Sequence, residues 1–504
     1  MPVRRYLIPL LLCGLLFSSC GEEAAEPGGD YVMTIARNPA NLDPQLAEDS
    51  ASFTVIRNIY STLVTLDDNG AVIPCGAKSY EVSEDGLSYT FYIREGLKWR
   101  NSENRDAADL TADDYIFAVK RVFDESTCSP YKYLFENIEN IGSIGKGSAG
   151  IYARDSHTLC IRLSVPDCEF LKKMAHPAAA PCNEELFRST EGRYGLSAED
   201  TYACGAFYVS DWNFDPYWTN NHIRLTKIKA NSDEGYVTYP DSVDILIDNY
   251  ENSSLYTLPY GETPPGGYET AEYESISSVM VFNKRDALKD EKIRGAVFTI
   301  ADTAINNSEE PRPGGFLPSA LTVGGKSVRE RGDMSLSFEH TEDPAAVIGS
   351  YGDKSHMNFR KIIVREDMSR IKLCYEISEA LADAGFFTTV DILPPREFEE
   401  RMESGDYDIS VLPLSARENS AEEFFRGLFE ITGAGGTDRL LLLSGMRDIG
   451  DKADYILNTE SGIYREKAAI PLSYENRTVV CRDVCDYYYD PFGDSFYLKY
   501  LKAK

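Results

Sequence analysis

The stretch from Ser83 to Phe123, SEDGLSYTFYIREGLKWRNSENRDAADLTADDYIFAVKRVF, constrains the chain most, because it joins two regular elements through a fixed corner. Leu87, Tyr89, Phe91 and Ile93 alternate with Ser88, Thr90, Tyr92 and Arg94, and that period of two predicts a strand with one buried face. Thr111 followed by Asp114 has the spacing of a capped helix N-terminus, and Tyr115, Ala118, Val119 and Val122 recur behind it at helical spacing. The order is strand, corner, helix.

A chain of 504 residues holds more than one core. Its 51 basic and 81 acidic residues give a formal charge of -30, spread along the chain, with no basic stripe of the kind that phosphate binding needs. That excludes nucleic acid as the expected partner and leaves a solvated acidic surface. At the N-terminus, Arg4 and Arg5 precede an apolar run from Tyr6 to Phe17, which is too short for a spanning helix and reads as an export signal. Ser18-Ser19-Cys20 behind it resembles a bacterial lipoprotein box, with Phe17 where Leu is usual. The resemblance implies cleavage before Cys20 and a lipid on that residue. Gly21 to Gly29, GEEAAEPGG, has the composition of a flexible tether.

Of eleven cysteines, Cys13 leaves with the signal and Cys20 takes the lipid, so nine remain at scattered spacings. No pair is close enough for a zinc site; buried free thiols are the expectation, with one or two disulfides as the alternative. His157, His176, His222, His340 and His356 are far apart and carry no metal spacing. Ser129 and Lys132 satisfy a serine acylase pattern without the other motifs of such an enzyme, and no phosphate loop or nucleophile elbow occurs. No catalytic residue, metal or cofactor is therefore expected.

Taken together, Asp85-Gly86, the aromatic-x-Phe-x-x-Arg run of Tyr89 to Arg94, Lys98-Trp99 and Leu110 to Asp114 resemble a known family. This is the solute-binding proteins of ATP-driven (ABC) importers, in the dipeptide and oligopeptide class, bacterial extracellular solute-binding protein family 5. Leu42-Asp43-Pro44, Pro74 with Gly76-Ala77, Ser129-Pro130-Tyr131, Gly205 to Tyr208, Phe282-Asn283 with Ile293-Arg294, and Asp490-Pro491 continue the resemblance over most of the chain. It implies an α/β, two-lobed periplasmic-binding-protein fold of type II, cluster C, with an extra small subdomain in the first lobe. The implied boundaries are 30–60, 185–268 and 468–504 for the first lobe, 61–184 for the subdomain, and 269–467 for the second lobe. Helical and strand periods alternate from Ile371 to Leu414, which predicts a parallel sheet flanked by helices.

The resemblance further implies a monomer that captures a peptide or other small solute outside the cytoplasm and delivers it to a membrane permease. Residue by residue, it places Glu48, Ser50, Tyr131 and Tyr474 at the ligand. Where peptide binders of the family have a Trp and, three residues on, an Asp that pairs with the peptide amino terminus, this chain has Leu414 and Arg417. Arg417 in the cleft would favour an acidic or N-blocked ligand, unless Glu418, Glu422 or Glu423 takes over the acidic role. A non-peptide solute, a ligand sensor and a surface hydrolase are the alternatives.

Overall fold

The computed structural model of the chain describes residues 29–503 apart from 68–69, 218–219, 234–237, 252, 260, 309–311, 332–335, 337–342, 351–360, 369, 387, 417–418 and 434–435. The segment predicted to be an export signal, and Cys20, lie outside the described residues. Strand β1 (Asp30–Ile35) buries Met33 and Ile35, then the chain turns through Leu42-Asp43-Pro44 into helix α1 (Ser50–Ile59). Asp49 starts that helix: its carboxylate accepts the Ser52 N–H at 3.0 Å, filling a backbone donor that has no partner inside the helix.

The small subdomain follows. Strands β2 (Ala77–Val82) and β3 (Ser88–Ile93) pair with β5 (Thr158–Arg162) and β4 (Ile151–Asp155) in the order β2-β3-β5-β4. β3 buries Tyr89, Phe91 and Ile93, the face that the period of two predicts. Helix α2 (Ala112–Phe123) has the expected capping box, with the Thr111 N–H donating to Asp114 at 2.9 Å. Asp114 also accepts from the indole of fully buried Trp99 at 3.1 Å, which fixes the corner between strand and helix. Gly76 shows why small size is needed nearby, since a Cβ there would collide with the Tyr115 hydroxyl that caps Ser61. Short helix α3 (Phe170–Lys173) closes the subdomain.

The Leu-Asp-Pro turn is an internal staple. The Arg121 guanidinium of α2 grips Asp43 with two hydrogen bonds, at 3.0 and 2.5 Å, and lies 4.1 Å over the Phe187 ring. Both side chains are nearly sealed from water, and Gln45 completes the network by donating to the carbonyls of Ala178 and Ala180. The subdomain and first lobe consequently share one apolar core, running from Met33 to Leu255 and from Val479 to Leu501.

Strands β6 (Phe207–Asn213), β7 (His222–Lys227), β8 (Ser242–Ile247) and β9 (Leu255–Thr257) complete the first lobe, with β1 parallel to both β8 and β9. Long strand β10 (Glu269–Phe282) then carries the chain across. The second lobe contains α4 (Glu291–Asn306), β11 (Lys361–Arg365), α5 (Ile371–Asp383), β12 (Thr389–Leu393), β13 (Ile409–Ser415), α6 (Ala421–Thr432) and α7 (Ile449–Arg465). β11 is parallel to β12 and β13, as the alternating pattern predicts, whereas β10 joins β13 antiparallel. Strand β14 (Ala469–Cys481) returns along β10, and the hairpin of β15 (Val484–Asp490) and β16 (Ser495–Ala503) ends the chain on α1.

One ten-stranded sheet runs through both lobes in the order β6-β7-β8-β1-β9-β14-β10-β13-β11-β12. The second core begins at Val279 and ends at Leu472, apart from Phe492, so the crossings fall inside β10 and β14 rather than at residues 269 and 467. The pairing of these strands is bulged between Glu274 and Ile276 and again between Ser278 and Val279, at the gap between the two cores. The eight cysteines whose side chains are described, Cys75, Cys128, Cys160, Cys168, Cys182, Cys204, Cys374 and Cys481, are free thiols. Among the described residues, no helix is long and apolar enough to cross a membrane.

Candidate functional site

A cavity of about 660 Å³ opens where β1 and β9 end, at the carboxyl ends of parallel strands, where open α/β sheets leave a crevice. The first turn of α1 contributes Ser50, Ala51 and Thr54 to one wall, and the bulged strands supply the floor through Ile276 and Tyr474 to Arg477. Its volume lies in the range of small-ligand sites. The polar groups are fixed by neighbours. Asp494 pairs with Arg477 at 2.6 Å and accepts the hydroxyls of Thr257 at 2.9 Å and Tyr489 at 2.7 Å. Glu475 accepts from Ser278 at 2.5 Å, and the Tyr474 hydroxyl donates to the Gly315 carbonyl of the second lobe at 2.9 Å. Burial pushes the Tyr474 phenol up, so it stays a neutral donor. Arg37 differs, being exposed at the rim with no ion pair to another described residue.

A second cavity, of about 340 Å³, lies across the Tyr489 wall between the lobes. Arg57 and His176 enter it from the first lobe, Thr322 and Asn419 from the second. Burial would depress the Arg57 guanidinium, but Tyr497 and Asp490, the latter at 2.5 Å, hold it above its usual value. Burial, and then Arg57, push the His176 imidazole well below its usual range. Because its Nδ1 accepts the Ala178 N–H at 3.0 Å, the neutral ring carries its proton on Nε2. No cluster of three or more metal-ligating side chains occurs among the described residues. The arrangement offers hydrogen-bond donors, acceptors and charges in an enclosed space, which is the chemistry of binding.

Of the residues singled out in the sequence, Ser50 and Tyr474 are brought together in the larger cavity. Glu48 is exposed and lines neither cavity. Tyr131 is a correction: it is buried in the first lobe, its hydroxyl donates to the Ala47 carbonyl and its ring lies 4.9 Å from that of His176. The phenol is consumed in holding the loop behind the cleft. Arg417 and Glu418 lie outside the described residues. Leu414 sits opposite Ser277 in the sheet, Glu422 is buried against Arg426 and Lys173, and Glu423 pairs with Arg426 at 3.2 Å. Sequence reasoning missed Arg37, Thr257, Glu475 and His176. Arg37 and Glu475 adjoin segments that carry the resemblance, but no period marks either as facing a cavity.

Residues 71–307 match the family model "Bacterial extracellular solute-binding proteins, family 5 Middle". The chain is 24% identical to a dipeptide-binding protein of Lactococcus lactis subsp. cremoris (strain MG1363), over 82% of this chain and 77% of that protein. It is 30% identical to a probable deoxycholate-binding periplasmic protein of Escherichia coli (strain K12), over 35% of this chain and 33% of the relative. The crystal structure of the substrate-binding domain of an oligopeptide ABC transporter from Bacillus anthracis str. Ames shares the fold at a TM-score of 0.67 and 19% identity, covering 95% of this chain and 99% of that one. Residues 71–307 are thus similar to the bacterial extracellular solute-binding proteins, family 5, and the chain as a whole has the two-lobed α/β fold of the solved binding proteins.

Proposed function

We propose that the chain is the extracytoplasmic, lipid-anchored binding component of an ABC importer, which captures peptides between its lobes and delivers them to the permease. The cavity of about 660 Å³ at the end of β1 carries this reading, because it is floored by the strands about which the lobes would rotate. Ser50, Tyr474 and Arg37 are the proposed ligand contacts. A ligand that touches both lobes favours the closed form by its differential affinity, and closure removes water from each hydrogen bond it makes. No covalent step is involved. Attachment through Cys20 places the cleft outside the membrane, beyond the Gly21 to Gly29 tether.

Native mass spectrometry of the purified protein tests the ligand class. A ladder of co-purified masses resolving into mixed peptides is expected. One defined non-peptide compound would overturn the peptide reading and favour a second one, an acidic non-peptide solute held by the exposed Arg37 guanidinium at the cavity rim. The Escherichia coli relative, named for deoxycholate, supports that second reading. For the anchor, Cys20→Ala is expected to release the protein from the membrane fraction; unchanged membrane association would contradict lipidation.

A further inference from the structure

On the subdomain side the cleft is closed by a seam of charged groups, of which Lys172 also lines the second cavity. Asp167, Glu169, Lys172 and Lys173 come from the first lobe, in and just before α3; Glu422 of α6 and Lys452 of α7 come from the second. Lys452 Nζ lies 2.6 Å from Glu169, with the two side chains only 1% and 9% exposed. Lys172 donates to the carbonyls of Thr322, at 2.9 Å, and Asn419. Lys173 sits between Asp167 at 2.9 Å and Glu422 at 3.9 Å, and the Cys168 N–H donates to the Met446 carbonyl at 3.1 Å. Three carboxylates face three ammonium groups, so the seam is neutral as a whole.

We infer that Glu169 and Lys452 are positioning residues for ligand capture: their ion pair defines the closed orientation of the lobes without touching the ligand. This rests on the capture reading above, though its test needs no ligand. Neither residue lines the larger cavity. A buried pair gains little over two hydrated ions, but a buried charge without its partner is strongly disfavoured. In the closed form Glu169 has Lys452 across the seam as well as Lys172 of its own lobe at 3.5 Å, while in the open form Lys452 has water and Glu169 keeps Lys172. Removing one member therefore weakens the closed form and not the open one, and a closed orientation shifted by one side chain would strand Lys452 and leave Glu169 with Lys172 alone.

The test is hydrogen exchange at the Cys168 amide, which is bonded across the seam and is released only when the lobes part. In ligand-free purified protein, Lys452→Met is expected to speed this exchange by on the order of tenfold to a hundredfold and to enlarge the radius of gyration measured by X-ray scattering. Amides of β10 and β14 should keep their rates. Should Lys452→Met fail to fold, Lys172→Met, which removes the donors to Thr322 and Asn419 together with a cation 3.5 Å from Glu169, provides the same readout. Unchanged exchange and scattering would overturn the inference. So would a rise in exchange spread equally through both cores, since that reports unfolding rather than opening. Failure here would leave peptide capture intact, because co-purified peptides are detected independently.

Discussion

Two buried ion pairs of similar length do different jobs. Arg121 and Asp43, 2.5 Å apart and 6% and 4% exposed, join parts of one lobe; Lys452 and Glu169, 2.6 Å apart, join two. The first uses a planar guanidinium held by two bonds to one carboxylate, a third to Gln45, and the Phe187 ring. The second uses an ammonium, a point charge on a flexible stem. A rigid fork suits a contact with no open state, whereas a flexible ammonium suits one that must break, hydrate and re-form. The hinge completes the contrast. β10 and β14 are joined by backbone pairing on both sides of the gap between the cores, with the bulges near Ser275 and Ser278 available to absorb rotation.

The largest effect is expected at the internal pair. Arg121→Met leaves Asp43 buried and unpaired, and should lower stability to chemical denaturation by about 3–5 kcal/mol, whereas Lys452→Met should mainly open the lobes. Equal losses of global stability from the two variants would erase the distinction.

Acid should act on the seam next. Burial raises the Glu169 carboxyl, but Lys452 and then Lys172 override it, bringing it from 4.5 to about 2. A depressed carboxylate favours the closed form above its ordinary value and loses that contribution as pH falls from 4.5 towards 2. Glu422, raised by burial against the pull of Lys173, works the other way, so the comparison to make is with Glu169→Gln. Scattering should show acid opening in the native chain that is smaller in this variant; identical profiles would remove Glu169 from the account.

Smaller still is the cap of α1. Asp49→Ala should cost about 1 kcal/mol in denaturation midpoint analysis, with no change in exchange at Cys168. At the surface, Arg188→Ala removes a pair with Glu184 that is 69% and 47% exposed, and should change stability by less than about 0.5 kcal/mol. A larger loss would show that exposed pairs carry weight here.

The sequence reveals features whose cause is local. The buried face of Tyr89, Phe91 and Ile93 and the Thr111–Asp114 capping box both follow from neighbours a few residues away. The family resemblance reached the two-lobed fold through such motifs. It misplaced Tyr131, because a Ser-Pro-Tyr loop has the same letters whether its phenol faces a ligand or the Ala47 carbonyl. The seam was illegible for another reason. Glu169 and Lys452 are brought together only by the closure of lobes distant in sequence, and neither belongs to a period or a motif. The bulges that mark the crossings leave no trace in the apolar pattern of β10, since Val279 to Phe282 are buried on both faces.

The most direct test of the account is a hydrogen-exchange difference map of the purified protein with and without a mixed tripeptide library. The account predicts protection at residues 34–37, 50–54, 257–259 and 474–477, together with slower exchange at the Cys168 amide as the lobes close. Peptide binding with protection confined to other surfaces, and with the Cys168 amide unaffected, would contradict capture between the lobes.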